Sequence, residues 1–309
     1  SKERYPDAHI VRSLDELLAI SEIELVIINT PDATHYEYTK KALEAGKNVI
    51  VEKPFVKTTE EGKALIALAK EKGLMLGVYQ NRRWDADFLT VKEIIDSNKI
   101  GRVVEFESTF ARYRNYIQAG NWKEQDGGMA YNLGSHLIDQ CVCLFGIPEA
   151  VFADIAILRD GGIVDDYFKI CLLRCAKAPE VRITLKASYL MREPEPRFVV
   201  HGTEGSYVKY GVDKQEELLK NGAIPVSPDW GVETEDEWGI LNTETDGRTF
   251  YGKYPSQRGN YADFYESVYQ HLRNRVPLPT DAAGVLPVIK LIEAAGESSR
   301  NKSVILLSD

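Results

Sequence analysis

The chain has 309 residues, of which 44% are hydrophobic and 28% charged, and its formal net charge is −9. That length exceeds what one hydrophobic core usually holds, so two domains are expected, and the composition is that of a globular protein. The acidic balance, without any Lys/Arg block, excludes nucleic acid and anionic membranes as expected partners, and no apolar run approaches a membrane span.

Strands and helices alternate through the first hundred residues. A short strand is expected at 8–11, then a helix over 13–20 capped by Ser13, with Glu16 as its capping-box partner. Leu25-Val-Ile-Ile28 reads as a buried strand, ended by Asn29-Thr-Pro31. A helix follows at 33–45 and stops at Gly46. A strand at 49–51 runs into Glu52-Lys53-Pro54, a helix spans Thr59 to Gly73, and 75–78 is the next strand. Repeated β-α-β order with apolar strands implies a parallel, doubly wound sheet.

After a linking helix at 84–97 the rhythm changes. Residues 103–112 alternate apolar and polar side chains, as a half-exposed strand does. A Gly-rich turn precedes a helix at 129–145, and strands are expected at 150–158, 167–174, 181–189, 197–201 and 206–210. Strands in succession without helices between them mean an antiparallel sheet. The stretch 221–259, rich in Gly, Pro, Asp and Glu, reads as a long irregular loop. Helices at 261–274 and 282–301 and a strand at 304–307 close the chain. The fold class is therefore α/β: a Rossmann-like, doubly wound parallel sheet over 1–98, its first unit missing, followed over 99–309 by an α+β domain with a large, mostly antiparallel sheet.

The four cysteines, Cys141, Cys143, Cys171 and Cys175, show no metal-ligand spacing, and no histidine cluster joins them. They read as buried, reduced structural thiols, which fits a cytoplasmic location, and no metal is expected.

A Rossmann half normally opens with a strand, a glycine-rich turn and a helix whose N-terminus holds a pyrophosphate. No G-x-G-x-x-G precedes Leu25, and Ser1-Lys-Glu-Arg-Tyr-Pro6 reads like the middle of a domain. Either the protein lacks that unit or the chain is part of a longer one. The second is the expectation, because a sheet without its first strands would expose an apolar edge.

Two constellations carry chemistry. In Asn48-Val-Ile-Val-Glu-Lys-Pro54 a buried strand delivers Lys53 to its carboxyl end, where open α/β sheets bind ligands, although strands also end in charges simply on leaving a core. In Gly127-Gly-Met-Ala-Tyr-Asn-Leu-Gly-Ser-His136 a glycine pair opens a helix on which Asn132 and His136 share one face. Histidine is the side chain best suited to proton transfer near neutral pH.

Taken with Asn29-Thr-Pro31, His35, Gln80-Asn-Arg-Arg-Trp84, Tyr113, His201-Gly-Thr-Glu-Gly205, Tyr210-Gly-Val-Asp213 and Gly259-Asn-Tyr261, these motifs resemble the Gfo/Idh/MocA family of oxidoreductases over nearly the whole chain. Within it they are similar to the branch of NADP-dependent scyllo-inositol 2-dehydrogenases. The resemblance implies hydride transfer between NAD or NADP and a secondary alcohol or ketone of a sugar or cyclitol. It implies a homodimer or homotetramer built through the C-terminal sheet. It also gives His136 as general base and Lys53 as the residue that polarises the reacting hydroxyl. Asn29, Thr30, Pro31, His35, Glu52, Lys53 and Pro54 match cofactor-lining positions. Asn81 and Arg82 are candidates beside the cofactor, and Tyr113, Trp122, Asn132 and Tyr261 beside the substrate, where Arg112 and Arg114 could add donors. Ser1 and Lys2 would fall near the cofactor's 2′-position, and the lack of an acid there favours NADP over NAD. A non-catalytic sensor on the same fold is the alternative. One departure stands out: the family usually carries aspartate where this chain has Asn132, so His136 should be a weaker base unless Asp139 or Asp126 compensates.

Overall fold

The computed structural model describes residues 5–225, 227–245 and 247–307, and Ser1 and Lys2 lie outside them. It divides into two compact units, one of residues 1–79 with 279–286, the other of 80–278 with 287–309. The division falls after Tyr79 rather than at 98, so the helix expected to close the first domain belongs to the second unit.

The first unit carries α1 (Leu14–Leu18), β1 (Leu25–Ile28), α2 (His35–Glu44), β2 (Asn48–Glu52), α3 (Thr59–Lys72) and β3 (Leu76–Tyr79). The strands form a parallel sheet in the order β1-β2-β3, with Ile28 beside Val51 and Glu52 beside Tyr79. Val49, Ile50 and Val51 of the central strand are fully buried, as expected of a strand covered on both faces. α3 starts on a capping box between Thr58 and Glu61 and ends at Gly73 in the left-handed conformation. No strand forms at 8–11. At α1 the Ser13 hydroxyl accepts from Glu16 N, while the Glu16 carboxylate accepts from Arg12 N, one residue before the expected partner.

The second unit carries α4 (Ala86–Asp96), β4 (Val103–Ala111), α5 (Ser135–Phe145), β5 (Pro148–Ala156), β6 (Tyr167–Cys175), β7 (Arg182–Ser188), β8 (Phe198–Gly202), β9 (Gly205–Lys209), α6 (Gln215–Lys220), β10 (Gly239–Thr245), β11 (Arg248–Tyr254), α7 (Ala262–Asn274), most of α8 (Ala282–Asn301) and β12 (Ile305–Leu306). Nine strands form one sheet in the order β11-β10-β9-β8-β4-β7-β6-β5-β12. Among the described strands of this sheet only β4 and β7 pair in parallel. α5 lies on the sheet through Phe145 against Phe106 of β4, ring centroids 5.1 Å apart. α8 is fastened to β5 by Ser298 and Ser299, whose hydroxyls accept from Ala153 N and Ile155 N at 2.9 and 2.8 Å. The stretch read as an irregular loop follows directly on α6 and contains the hairpin β10–β11, paired from Gly239–Tyr254 to Thr245–Arg248. All four cysteines are free thiols; Cys141 and Cys175 are buried, whereas Cys143 and Cys171 are only half-buried. No helix among the described residues is long and apolar enough to cross a membrane.

Candidate active site

In the first unit the candidate residues lie at the carboxyl edge of the parallel sheet, where adjacent strands end side by side. Beyond β1 the chain turns through Asn29-Thr-Pro31 into a 3₁₀ turn, Asp32–Thr34, and then α2. The Thr34 hydroxyl donates to Pro31 O at 2.7 Å, so Thr30 supplies the proton in its 2.6 Å contact with the Thr34 oxygen. His35, 1% exposed, stands between the two strand ends: Nδ1 is 2.8 Å from Pro54 O and Nε2 is 3.1 Å from Thr30 O. Both ring nitrogens lie within hydrogen-bond distance of main-chain carbonyls, which sets His35 between the two loops. It holds the loop after β1 against the loop after β2.

Lys53 follows directly on the central strand. Its backbone N–H donates to the Glu52 carboxylate at 3.1 Å, the Lys53–Pro54 peptide is cis, and Pro54, Phe55 and Val56 are buried behind it. The lysine's backbone is thus held from both sides while its side chain stays half-exposed. Asn29 is exposed and makes no hydrogen bond among the described residues. A free amide, the Glu52 carboxylate and the Lys53 ammonium at the end of a parallel sheet form a donor set suited to a nucleotide's ribose hydroxyls and amide. The residues of this unit therefore fit the lower part of a dinucleotide.

In the second unit the glycine pair is required by geometry. Gly127 and Gly128 have φ of +87° and +65°, and a Cβ on Gly128 would lie 2.6 Å from Asp165 Cγ. That closeness lets Asp165 cap the following helix: Ala130 N donates to its carboxylate at 2.7 Å and Met129 N to its main-chain carbonyl at 2.8 Å. The helix opens with a π-helical turn, Ala130–Gly134, before α5. Such turns carry an extra residue and often mark functional sites. Asn132 lies in it, its amide oxygen accepting from Lys123 Nζ at 3.3 Å. His136, 4% exposed, is in the first turn of α5. Trp122, 38% exposed, opens the 3₁₀ turn that carries Lys123, and the Lys123 ammonium sits 5.6 Å from its ring centre. Tyr113, 49% exposed, is stacked under Arg192, and Asn81 is half-buried.

Other expected ligand residues have partners within the protein. The Tyr261 hydroxyl is buried and donates to Asp85 Oδ1 at 2.6 Å, and its backbone N–H donates to Gln215. Arg82 is buried too, its guanidinium paired with Asp85 at 3.1 Å and with Glu216. Asp85 and Glu216 take up the Tyr261 hydroxyl and the ends of the Arg82 guanidinium, while Arg82 Nε has no hydrogen-bond partner among the described residues. Burial pushes the Asp85 carboxyl well above its usual range against the pull of Arg82. Asp139 does not stand in for the missing aspartate. It accepts from Arg83 Nε at 2.8 Å and Nη2 at 2.7 Å, a two-pronged pair that locks α5 to the turn at Asn81–Trp84. Gln140, one turn beyond His136, donates to Arg82 O at 2.8 Å and accepts from Arg197 at 2.7 Å. Asp165, Asp139 and Gln140 were invisible as partners in the sequence, because each bonds across 35 to 58 positions.

The family model described as "Oxidoreductase family, NAD-binding Rossmann fold" matches residues 3–80, and the GFO/IDH/MocA C-terminal domain model matches 88–208. The chain is 38% identical to scyllo-inositol 2-dehydrogenase (NADP(+)) IolW of Bacillus subtilis, covering 99% of this chain and 85% of that protein. A crystal structure from Bacteroides fragilis NCTC 9343 is 62% identical, with a TM-score of 0.93 over 99% of this chain and 88% of that one. The crystal structure of an oxidoreductase from Bacillus cereus is 36% identical, with a TM-score of 0.90 over 100% of this chain and 87% of that one. Two domain models in succession and a relative matched along most of its length agree with the parallel sheet and the glycine-opened helix: the chain belongs to the Gfo/Idh/MocA family of oxidoreductases, with an NAD-binding Rossmann-type domain at its N-terminal side.

Proposed function

We propose that the protein transfers a hydride between NAD(P) and a secondary alcohol, or the matching ketone, of a sugar or cyclitol. The observation that carries this is Lys53, whose backbone is fixed at the carboxyl end of the central strand of a parallel sheet. The cofactor, when bound, accepts or returns the hydride. Lys53 hydrogen-bonds the reacting oxygen and offsets the negative charge that grows on it. His136 takes the hydroxyl proton as general base. Asn132 orients the site through its amide but brings no charge of its own, and with Asp139 committed to Arg83 the imidazolium gains little from that carboxylate. Trp122 and Tyr113, both exposed, supply ring faces to the substrate. Asn29, Thr30, Pro31, Glu52 and Pro54 line the cofactor and His35 holds them in place. The relative's printed preference and the lack of an acid at Ser1 or Lys2 support NADP over NAD. The active form is a homodimer or homotetramer through the large sheet.

The test is nicotinamide absorbance over a panel of inositols, sugars and sugar acids with each cofactor. Lys53→Met and His136→Asn should each lower kcat at least about 100-fold while cofactor binding persists. Asn132→Asp should raise kcat, because a carboxylate stabilises the imidazolium. Cofactor binding with no turnover of any panel member would overturn the proposal in favour of a ligand sensor.

A further inference from the structure

Three guanidinium groups surround the ring of Phe110: Arg197 at 4.2 Å, Arg82 at 5.3 Å and Arg112 at 6.0 Å from its centre. Two of them are compensated. Arg82 pairs with Asp85 and Glu216, and Arg197 lies 3.4 Å from Asp87 and donates to Ser108 and Gln140. Arg112 is different: its side chain makes no hydrogen bond or ion pair among the described residues. Glu216, the acid that acts on it electrostatically, is already bonded to Arg82 and Lys220. A fourth cation, Arg114, lies two residues on, stacked 4.2 Å over Tyr189 and paired with Glu124.

Arg112 is nevertheless built into place. It is the first residue beyond β4, its N–H donates to Ser188 O at 3.1 Å, and its carbonyl accepts from Met191 N at 3.0 Å. The residue is exposed, while partial desolvation of its guanidinium, with Arg82 and Arg114 adding and Tyr189 and Glu216 opposing, lowers its pKa. Its fixed guanidinium is repelled by Arg82 and Arg114, and Glu216, which offsets this, is shared with Arg82 and Lys220. An anionic ligand relieves that repulsion, and a carboxylate matches the guanidinium fork with two parallel hydrogen bonds. Neutral hydroxyls cannot cancel the charge. The cluster is also tied to the helix of the candidate base, since Gln140 of α5 bonds both Arg82 O and Arg197.

We infer that the substrate is an acidic polyol, a sugar acid whose carboxylate is received by Arg112. This rests on the dehydrogenase reading and narrows its substrate class. The reaction itself is unchanged: one secondary CH–OH loses a hydride to the nicotinamide and a proton to the base, becoming a ketone, and the carboxylate is only a handle.

The test compares glucuronate with glucose, and gluconate with sorbitol, on the full chain, by initial rates with NADP⁺ and by calorimetric binding. The acid of a pair should show a lower KM and dissociation constant than its neutral partner. Arg112→Gln should raise both for the acid by about 10- to 100-fold, with kcat within about threefold, and raise them for the neutral partner by far less. Arg112→Lys should recover part of the loss. Arg102→Gln, at the opposite end of β4, is the control for general loss of charge and should change nothing. Acids bound through Arg112 without any turnover would sustain this inference and sink the dehydrogenase reading. Turnover of neutral polyols with no preference for acids would do the reverse. A weaker affinity for NADPH in Arg112→Gln, with acid binding intact, would assign the arginine to a cofactor phosphate and overturn the inference.

Discussion

Around Lys53 the holding contacts run through the main chain, whereas around His136 they run through buried charges. In the first unit, His35 bonds two carbonyl oxygens, the Glu52 carboxylate receives the Lys53 N–H, and a strand and a proline bracket the lysine. In the second, Arg83–Asp139, Arg82–Asp85 and Asp165 at the helix start fix the candidate helix. A parallel sheet supplies its own framework, because every strand end is set by ladder bonds. A helix resting on a sheet has no such ladder between the two layers and needs specific side-chain pairs to set its rotation. The two regions should therefore fail differently when single residues are changed.

The largest difference is expected from Asp85→Ala set against His35→Ala. Removing Asp85 leaves the buried Arg82 with Glu216 alone and strips the Tyr261 hydroxyl of its acceptor. Breaking a buried ion pair from one side costs about 3–5 kcal/mol. Removing His35 costs about 1–3 kcal/mol, since it releases hydrogen bonds to neutral carbonyls. Urea denaturation of both variants measures the two losses. Equal losses would erase the contrast between main-chain and ion-pair support.

The contrast also explains how much could be read from the sequence. Lys53, Asn29-Thr-Pro31 and the three parallel strands were legible, because apolar runs and their punctuation are local signals. The glycine pair before His136 was legible for the same reason. The partners that hold His136's helix were not, since nothing near Asp139 names Arg83, 56 positions away. The same limit applies to Tyr261 and Arg82, which read as ligand residues although Asp85 and Glu216 occupy them. The hairpin β10–β11 is a different failure. Its Asp246-Gly247 dipeptide is a strong two-residue turn signal, and Gly247 has a φ of +70°. Charged and polar residues along Gly239–Thr245 hid the alternation, because β11 is an edge strand with little of its surface buried. The strand expected at 8–11 failed the opposite way: apolar residues are present, but no described strand pairs with it.

A second comparison sets two left-handed glycines against each other, one in each unit. Gly73 closes α3 at φ +66° with nothing within 4 Å of a Cβ, and Gly128 has φ +65° against the Asp165 carboxylate. Gly73→Ala should cost about 1–2 kcal/mol, the intrinsic penalty of that conformation. Gly128→Ala carries the same penalty and also displaces the carboxylate that caps the helix, for about 3 kcal/mol in all. Only the second should lower kcat, because only it disturbs the helix bearing His136. Thermal unfolding and initial rates on both variants read this directly. Similar losses in both would mean that the Asp165 cap contributes little.

The smallest effect is on the pH profile. Burial raises the Glu216 carboxyl, but Arg82 and then Lys220 outweigh it and hold it at about 2. Its ordinary value is 4.5, so the folded state binds this proton less readily than the unfolded chain does. Stability from this group is therefore present in full above about pH 4.5 and is lost as pH falls toward 2. Because the carboxylate is 41% exposed, solvent screening leaves about 1 kcal/mol of that gain. Glu216→Gln should lower stability at pH 6 by about that amount and flatten the acid limb of the profile. An acid limb that keeps its slope in Glu216→Gln would mean that other carboxylates carry the acid sensitivity, and the Arg82 pairing would then rest mainly on Asp85.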